Sequence, residues 1–298
     1  MGTPQFAVPS LERLVAAGHE VIAVFTQPDR PKGRGQKDAM PPVKEAALRL
    51  GLPVHQPLRV KAPEVVAQLA GWAPEAMIVV GYGQIIPQTI LDIPPKGILN
   101  VHASLLPRYR GAAPIQWAIA NGETRTGVTI MKIDAGLDTG DMLSKWETGI
   151  GSDERSPELG ARLAAAGADL LVETLARLAT IRPEPQDHAS ATWAPVIKKE
   201  DGRIEWTRPA SEIVNRMRGF TPWPGCYSSL RGSRFHVWSA KVVERELSPG
   251  VLQAENRRLF AGCGQGSLEL LEVQLEGKKR MVTAAFLNGF TLQAGEVL

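Results

Sequence analysis

The chain is poor in the features that mark several large protein classes. It has only two cysteines in 298 residues, Cys226 and Cys263, with no CxxC spacing. A disulfide framework and a thiolate zinc site are therefore excluded, and a reducing compartment fits. No window approaches the ~18 uninterrupted apolar residues of a membrane span, and the first residues offer neither a basic n-region nor an apolar h-region, so a cytoplasmic location is expected. No internal repeat or low-complexity tract is found. No GxGxxG follows a strand with an acidic residue ~20 positions later, which removes the dinucleotide-binding reading of the glycine pairs. Charge of one sign is scarce too. The 34 Lys+Arg against 31 Asp+Glu leave a net +3. Residues 1–180 balance at 18 and 18, and residues 181–298 carry 16 against 13, so the small excess lies wholly in the C-terminal part.

What is present is an ordinary globular composition, 44% apolar and 22% charged, which rules out a disordered or fibrous chain. Short β-branched runs at 21–26, 76–80, 97–101 and 126–133 alternate with helical patterns at 43–50 and 63–69, the signature of βαβ units. Runs such as Met77-Ile78-Val79-Val80 are apolar on both faces, as parallel strands covered by helices must be. A helix over 156–179, with Leu159, Leu163, Ala166, Leu170 and Leu178 on one stripe, closes this part. The segment 181–199 holds Pro183, Pro185 and Pro195 and reads as an extended surface linker. Beyond it, short alternating runs at 235–238, 268–271 and 281–283, separated by glycine-bearing turns, predict a small β-barrel-like domain. The fold class is thus α/β: a Rossmann-like, mostly parallel sheet domain followed by a small OB-like β-barrel.

The densest cluster of unusual residues runs from Asn100-Val101-His102-Ala103-Ser104-Leu105-Leu106-Pro107 into Arg108-Tyr109-Arg110-Gly111-Ala112-Ala113-Pro114. It sits where a strand ends, the place where open α/β sheets bind ligands. Strand alternation turns Asn100 and His102 to one face. A second polar cluster, Asp134-Ala135-Gly136-Leu137-Asp138-Thr139-Gly140-Asp141, follows the run at 126–133, with glycines that let the backbone turn back toward the same edge. It lacks the twelve-residue calcium-loop pattern, so no metal is expected.

These residues resemble the formyltransferase family that uses 10-formyltetrahydrofolate. The likeness rests on Asn100-x-His102, Ser104-Leu105-Leu106-Pro107, Gly111-Ala112-Ala113-Pro114 and Asp138. Further fragments extend it over nearly the whole chain: Gly2-Thr3-Pro4-Gln5-Phe6-Ala7, Phe25-Thr26-Gln27-Pro28-Asp29-Arg30-Pro31, Gly33-Arg34-Gly35, Gly136–Met142 and Pro222-Trp223-Pro224-Gly225. The resemblance implies 10-formyltetrahydrofolate as formyl-donor cosubstrate, initiator methionyl-tRNA as acceptor and a role in translation initiation. It also implies a catalytic domain over 1–180, a linker over 181–200 and an OB-like tRNA-binding domain over 201–298. Family members begin with a short apolar strand before the motif at Gly2-Thr3-Pro4; only Met1 precedes it here, so the catalytic domain is expected to lack its first strand.

An amine attacking a formyl carbon forms a tetrahedral intermediate whose oxygen is negative, and removing one preorganised donor to such an oxygen costs about 3–4 kcal/mol. Asn100 and His102 can supply donors, and Asp138 can take or relay the proton that the amine releases. Ser104, Leu105, Leu106 and Pro107 are expected, from the resemblance, to line the folate pocket, with the loop 81–87 as apolar wall.

Arg30, Lys32, Arg34 and Lys37 crowd one Gly/Pro-bearing loop that is too long for a simple βα connection. The resemblance assigns Arg34 to the tRNA acceptor end, with Lys32 and Lys37 on phosphates. Lys198, Lys199, Arg203, Arg216, Arg218, Arg231 and Arg234 could form a wall gripping RNA backbone, and Trp206, Trp223 and Trp238 either stack on bases or fill the core. Formyl transfer to a small amine, hydrolysis of the formyl donor, and tRNA binding without turnover are the alternatives that the same residues leave open.

Overall fold

The structure is a computed structural model that describes residues 1–32 and 37–298, the side chains of 32–38 excepted. Arg34 lies outside the described residues, as do the side chains of Lys32 and Lys37. Two compact units are found. The first holds Met1–Pro114, Arg125–Gly149 and Gly160–Ala194, and the second Ile115–Thr124, Ile150–Leu159 and Pro195–Leu298.

In the first unit, α1 (Val8–Ala16) precedes β1 (Val24–Phe25), a hairpin of β2 (Arg30–Lys32) and β3 (Lys37–Ala39), α2 (Pro42–Arg49) and β4 (Val54–His55). Then come α3 (Pro63–Trp72), β5 (Met77–Val79), α4 (Gln88–Leu91), β6 (Ile98–His102) and β7 (Arg110–Gly111). Helices α1, α2 and α3 all carry proline in their first two positions, where the fixed φ suits the helix and the missing N–H has no intrahelical partner to lose. β1 pairs with β4, and β5 with β6, in parallel, as βαβ units require. Phe25, Val65, Leu69, Met77, Val79 and Ile98 fill the core between these strands and their helices.

Between β1 and β5 runs the extended backbone of Met1–Gly2, with Gly2 bridged in parallel to Val80. Gly2 N–H donates to Phe25 O at 2.9 Å, Val80 N–H to Met1 O at 2.9 Å, and the Met1 amine to Ile78 O at 2.7 Å. Beside Met1 lies a cavity of about 620 Å³ lined by Leu11, Leu14, Ala23, Met77, Ile78 and Leu175 among others.

The chain goes on through α5 (Pro114–Ala120), β8 (Arg125–Lys132), β9 (Met142–Gly149), α6 (Ser156–Ala176) and β10 (Trp193–Ala194). β8 runs antiparallel to β6, and β9 antiparallel to β8; the sheet is mixed, and the run expected as a further parallel strand is not one. The reason is visible in its burial. β8 is buried at six consecutive positions, so its sequence is apolar on both faces whichever way the strand points. In α6 the buried stripe is Leu159, Leu163, Ala164, Ala168 and Leu171 and not the expected line through Ala166 and Leu170. Gly167 explains the close approach of this helix to the sheet: a Cβ there would stand 2.8 Å from a Val101 methyl and 3.1 Å from a Val128 methyl.

After α6 the backbone forms a strap across the first unit. Glu184 exchanges two backbone hydrogen bonds with Met142, both 2.8 Å, and β10 pairs in parallel with β7.

The second unit is built on one antiparallel sheet of β11 (Cys226–Leu230), β12 (Ser233–Val243), β13 (Leu252–Glu255), β14 (Arg258–Gly262), β15 (Ser267–Leu275) and β16 (Met281–Val282), with α7 (Ala210–Gly219) and α8 (Thr283–Gly289). Two-residue turns at Arg231-Gly232 and Asn256-Arg257 have positive φ at both positions, the backbone that matches the twist of a tight hairpin. The strand path is β11-β12-β15-β14-β13, with β16 beside β15. No pairing among the described residues joins β11 to β13, so the expected barrel is an open sheet here.

Candidate active site at the end of β6

β6 ends in the two side chains that alternation places on one face, Asn100 and His102. The backbone beyond it is fastened by β8: Thr129 Oγ1 donates to Ser104 O at 2.7 Å and accepts from Leu106 N–H at 3.2 Å. Ser104 Oγ donates to Arg108 O at 2.6 Å. This folds the 104–109 loop back so that Tyr109 O, 2.9 Å away, receives His102 Nε2. A carbonyl can only accept, so Nε2 carries a hydrogen and the free edge of the ring is Nδ1.

The Asp138 loop comes from the β8–β9 turn. Asp134 Oδ1 accepts from Gly136 N–H at 3.0 Å and Thr139 Oγ1 at 2.7 Å, a side-chain-closed turn of the kind aspartate makes readily. Asp138 itself has φ +52° and reaches back over the sheet. Its Oδ2 stands 3.7 Å from His102 Nδ1 and accepts from Gly111 N–H at 2.9 Å, while Oδ1 is 3.5 Å from Asn100 Nδ2. An amide, an imidazole and a carboxylate thus meet at one point. His102 is buried and the Asp138 side chain is 15% exposed. A carboxylate so enclosed needs compensating donors, which Gly111 N–H and Asn100 Nδ2 supply.

The other sequence-derived residues divide. Ser104 and Leu106 are fully buried, Leu106 against Met131 and Met142; Leu105 and Pro107 are half-buried. The loop at 81–87 carries a buried Tyr82, whose phenol burial pushes up to about 12, and a nearly fully exposed Ile85. Gln84 ties this loop to the 57–60 backbone, accepting from Val60 N–H at 2.7 Å and donating to Pro57 O at 3.2 Å. In the second unit Lys198 and Lys199 are exposed. Three of the basic residues expected beside them are occupied: Arg216 donates to Asp201 O, Arg218 to Gly151 O and Glu154 O, and Arg231 pairs with Glu296. Trp206 is buried, with Nε1 donating to Ser228 Oγ at 3.1 Å, whereas Trp223 is exposed.

Two buried polar residues received no role from the sequence. Arg110 donates from Nε and Nη2 to Gln186 Oε1 at 2.9 and 2.6 Å, and from Nη2 to His188 Nδ1 at 3.1 Å. Gln186 Nε2 donates to Asp138 O at 2.9 Å and Gly140 O at 2.7 Å. Arg110 could have been noticed inside the 100–114 cluster. Gln186 could not, because its partners are 46 to 76 positions away.

A mixed α/β unit that gathers Asn, His and Asp around one strand end, followed by an antiparallel-sheet unit, is the arrangement of a group-transfer enzyme. Residues 1–175 match the family model described as formyl transferase, and residues 196–291 match the formyl transferase C-terminal domain; the chain belongs to the formyl transferase family. A methionyl-tRNA formyltransferase of Solibacter usitatus is 59% identical over 302 residues, covering 100% of this chain and 97% of that one. Among solved structures, the N-formyltransferase of Helicobacter canadensis in complex with folinic acid and dTDP-3-aminofucose superposes with a TM-score of 0.66 at 17% identity, covering 94% and 97% of the two chains. HypX of Aquifex aeolicus in complex with tetrahydrofolic acid gives 0.59 at 20% identity over 85% of this chain, which spans 45% of that one. At these identities the two structures share the fold alone.

Proposed function

We propose that this chain transfers the formyl group of 10-formyltetrahydrofolate to the α-amine of initiator methionyl-tRNA, in translation initiation. The observation that carries this reading is full-length identity of 59% to a methionyl-tRNA formyltransferase, and the meeting of Asn100, His102 and Asp138 supports the residue assignment.

In this reading the neutral amine attacks the formyl carbon, forming the new C–N bond while the carbonyl electron pair moves to oxygen. Asn100 Nδ2 donates to that oxygen, and His102 Nδ1 does so as the doubly protonated imidazolium, the form that the facing Asp138 carboxylate favours. Asp138 accepts the proton lost by the amine and returns it to the folate nitrogen as the old C–N bond breaks and the electron pair comes back from oxygen. The loop of Ser104, Leu105, Leu106 and Pro107 borders the donor pocket. Ser104 and Leu106 hold the loop's shape from inside, and Leu105 and Pro107 offer it apolar surface.

For the acceptor, Arg34 contacts the tRNA end with Lys32 and Lys37 on neighbouring phosphates, and Lys198 and Lys199 grip the RNA backbone. The C-terminal sheet acts as an OB-like module. Two register shifts in β12, at Val237/Ser239 and Ser239/Ala240, give the local bend that such a sheet needs to curl.

The test is to incubate the protein with labelled formyl donor and charged initiator tRNA, uncharged tRNA or free methionine. Label is expected on charged tRNA alone; label passing to water or to small amines, or to nothing, overturns the reading.

A further inference from the structure

Gln186 lies in a strap that is otherwise largely exposed, yet its side chain is buried. Its carboxamide is fully used. Oε1 accepts two N–H bonds from Arg110, at 2.9 and 2.6 Å, and Nε2 donates to Asp138 O at 2.9 Å and Gly140 O at 2.7 Å. Two donors and two lone pairs are all that this group has. Its orientation is set by its neighbours, because the reverse would turn NH₂ against a guanidinium and an oxygen against two carbonyls.

Asp138 needs such a partner. Its backbone has φ +52°, a left-handed conformation that aspartate enters more readily than most residues with a Cβ but that remains less favourable than right-handed or extended backbone. Its carboxylate is tied to Gly111 N–H and its own carbonyl to Gln186. Gly111 directly follows Arg110 in β7, so the bonds close a ring: from the Asp138 carbonyl through Gln186 and Arg110 to Gly111, and back to the Asp138 carboxylate. Opening the ring at Gln186 frees the peptide at 138 to relax toward right-handed or extended backbone, which swings the carboxylate away from Gly111 and His102.

We infer that Gln186 is a positioning residue. By pinning the Asp138 and Gly140 carbonyls to the Arg110 guanidinium, it holds the Asp138 carboxylate at His102 and at the reacting amine. This rests on the proposed role of Asp138 in formyl transfer. Gln186 bonds neither to the 104–107 loop nor to the lysines assigned to RNA, so its loss falls on turnover and not on substrate binding.

The experiment compares wild type with Gln186→Met, which removes both halves of the amide at similar length. Gln186→Glu is the second variant; it keeps a charge-assisted acceptor for Arg110 and removes the donor to the two carbonyls. Initial rates of formyl transfer and hydrogen–deuterium exchange of the 134–142 segment are measured for each, and the rates again in an Asp138→Asn background. The inference expects kcat to fall about a hundredfold in both variants while KM for donor and tRNA stays within about threefold. It expects no further loss in the Asp138→Asn background, where the pair acts as one unit, and faster exchange of 134–142.

A Gln186→Glu enzyme within about threefold of wild-type kcat, or losses that multiply with Asp138→Asn, overturns it. Should Gln186→Met not fold, Gln186→Glu decides. Should wild type transfer no formyl group, the proposed function falls instead, and unchanged exchange of 134–142 in Gln186→Glu then overturns the positioning role by itself.

Discussion

His102 gives its Nε2 hydrogen to the carbonyl of Tyr109, 2.9 Å away, and so turns Nδ1 toward Asp138 Oδ2 at 3.7 Å. The bond closes the Tyr109 side of the ring with backbone and leaves the Nδ1 edge facing Asp138, which in the proposed mechanism is the side where the reacting group stands.

Asp138→Asn is therefore the sharpest test of the proton route. The amide keeps the size of the carboxylate and can still accept from Gly111 N–H, but it cannot take a proton from the amine. Formyl transfer should fall by about 10²–10⁴-fold, with the affinity for charged tRNA in a filter-binding titration changed by no more than about threefold. A variant that keeps its rate removes Asp138 from the mechanism.

How much of this arrangement the sequence disclosed depends on distance along the chain. Asn100 and His102 were legible because they are two positions apart on one strand, where alternation alone puts them on one face. That Asp138 turns back toward them was legible only as a glycine-bearing loop after an apolar run. Its actual path depends on β8 running antiparallel to β6, and a strand buried on both faces gives no sign of its direction. The α6 stripe was misplaced by about one residue for a related reason. Ala and Gly fill much of that helix, and its packing is decided by where Gly167 lets the sheet approach, which hydrophobicity does not record. Gln186 had no local signal at all, since its meaning lies entirely in partners from two distant loops.

The strap that carries Gln186 depends on Gly111. This residue has φ +117°, and a Cβ there would lie 2.6 Å from Ala194 O, the carbonyl that receives Ala112 N–H at 2.8 Å. Gly111→Ala must either strain the backbone or push β10 off β7. A loss of about 2–4 kcal/mol in urea unfolding is expected, with formyl transfer reduced because Gly111 N–H also holds Asp138. Unchanged stability would mean that β10 is not held by this pairing.

Both cysteines should be inert in the native protein. Burial pushes the Cys226 thiol up to about 12 and the Cys263 thiol up to about 11, leaving almost no thiolate near neutrality, and both side chains are enclosed. With an aromatic disulfide reagent at mildly alkaline pH, two thiols should react only as the chain opens, at a rate that rises with denaturant. Rapid labelling of either one without denaturant would contradict the packing of the C-terminal sheet.

The acid limb of stability should report Glu269. This buried carboxylate on β15 accepts from Arg258 Nε at 2.7 Å, meets a second Arg258 nitrogen, and lies 3.1 Å from Lys241 Nζ. Those bonds, Arg258 foremost, hold its carboxyl down to about 2 from an ordinary value of 4.5. Between those two values the unfolded chain binds a proton that the folded chain refuses. The stabilisation is therefore complete above the unfolded value and is lost as pH falls toward the folded one. Arg258 and Lys241 are half-exposed, so screening brings the contribution to about 1–2 kcal/mol. Glu269→Gln should be less stable than wild type by that amount in urea titrations at neutral pH, and the gap should close as the titrations are repeated toward pH 2. A gap that stays constant with pH would show that the pair contributes packing and no charge.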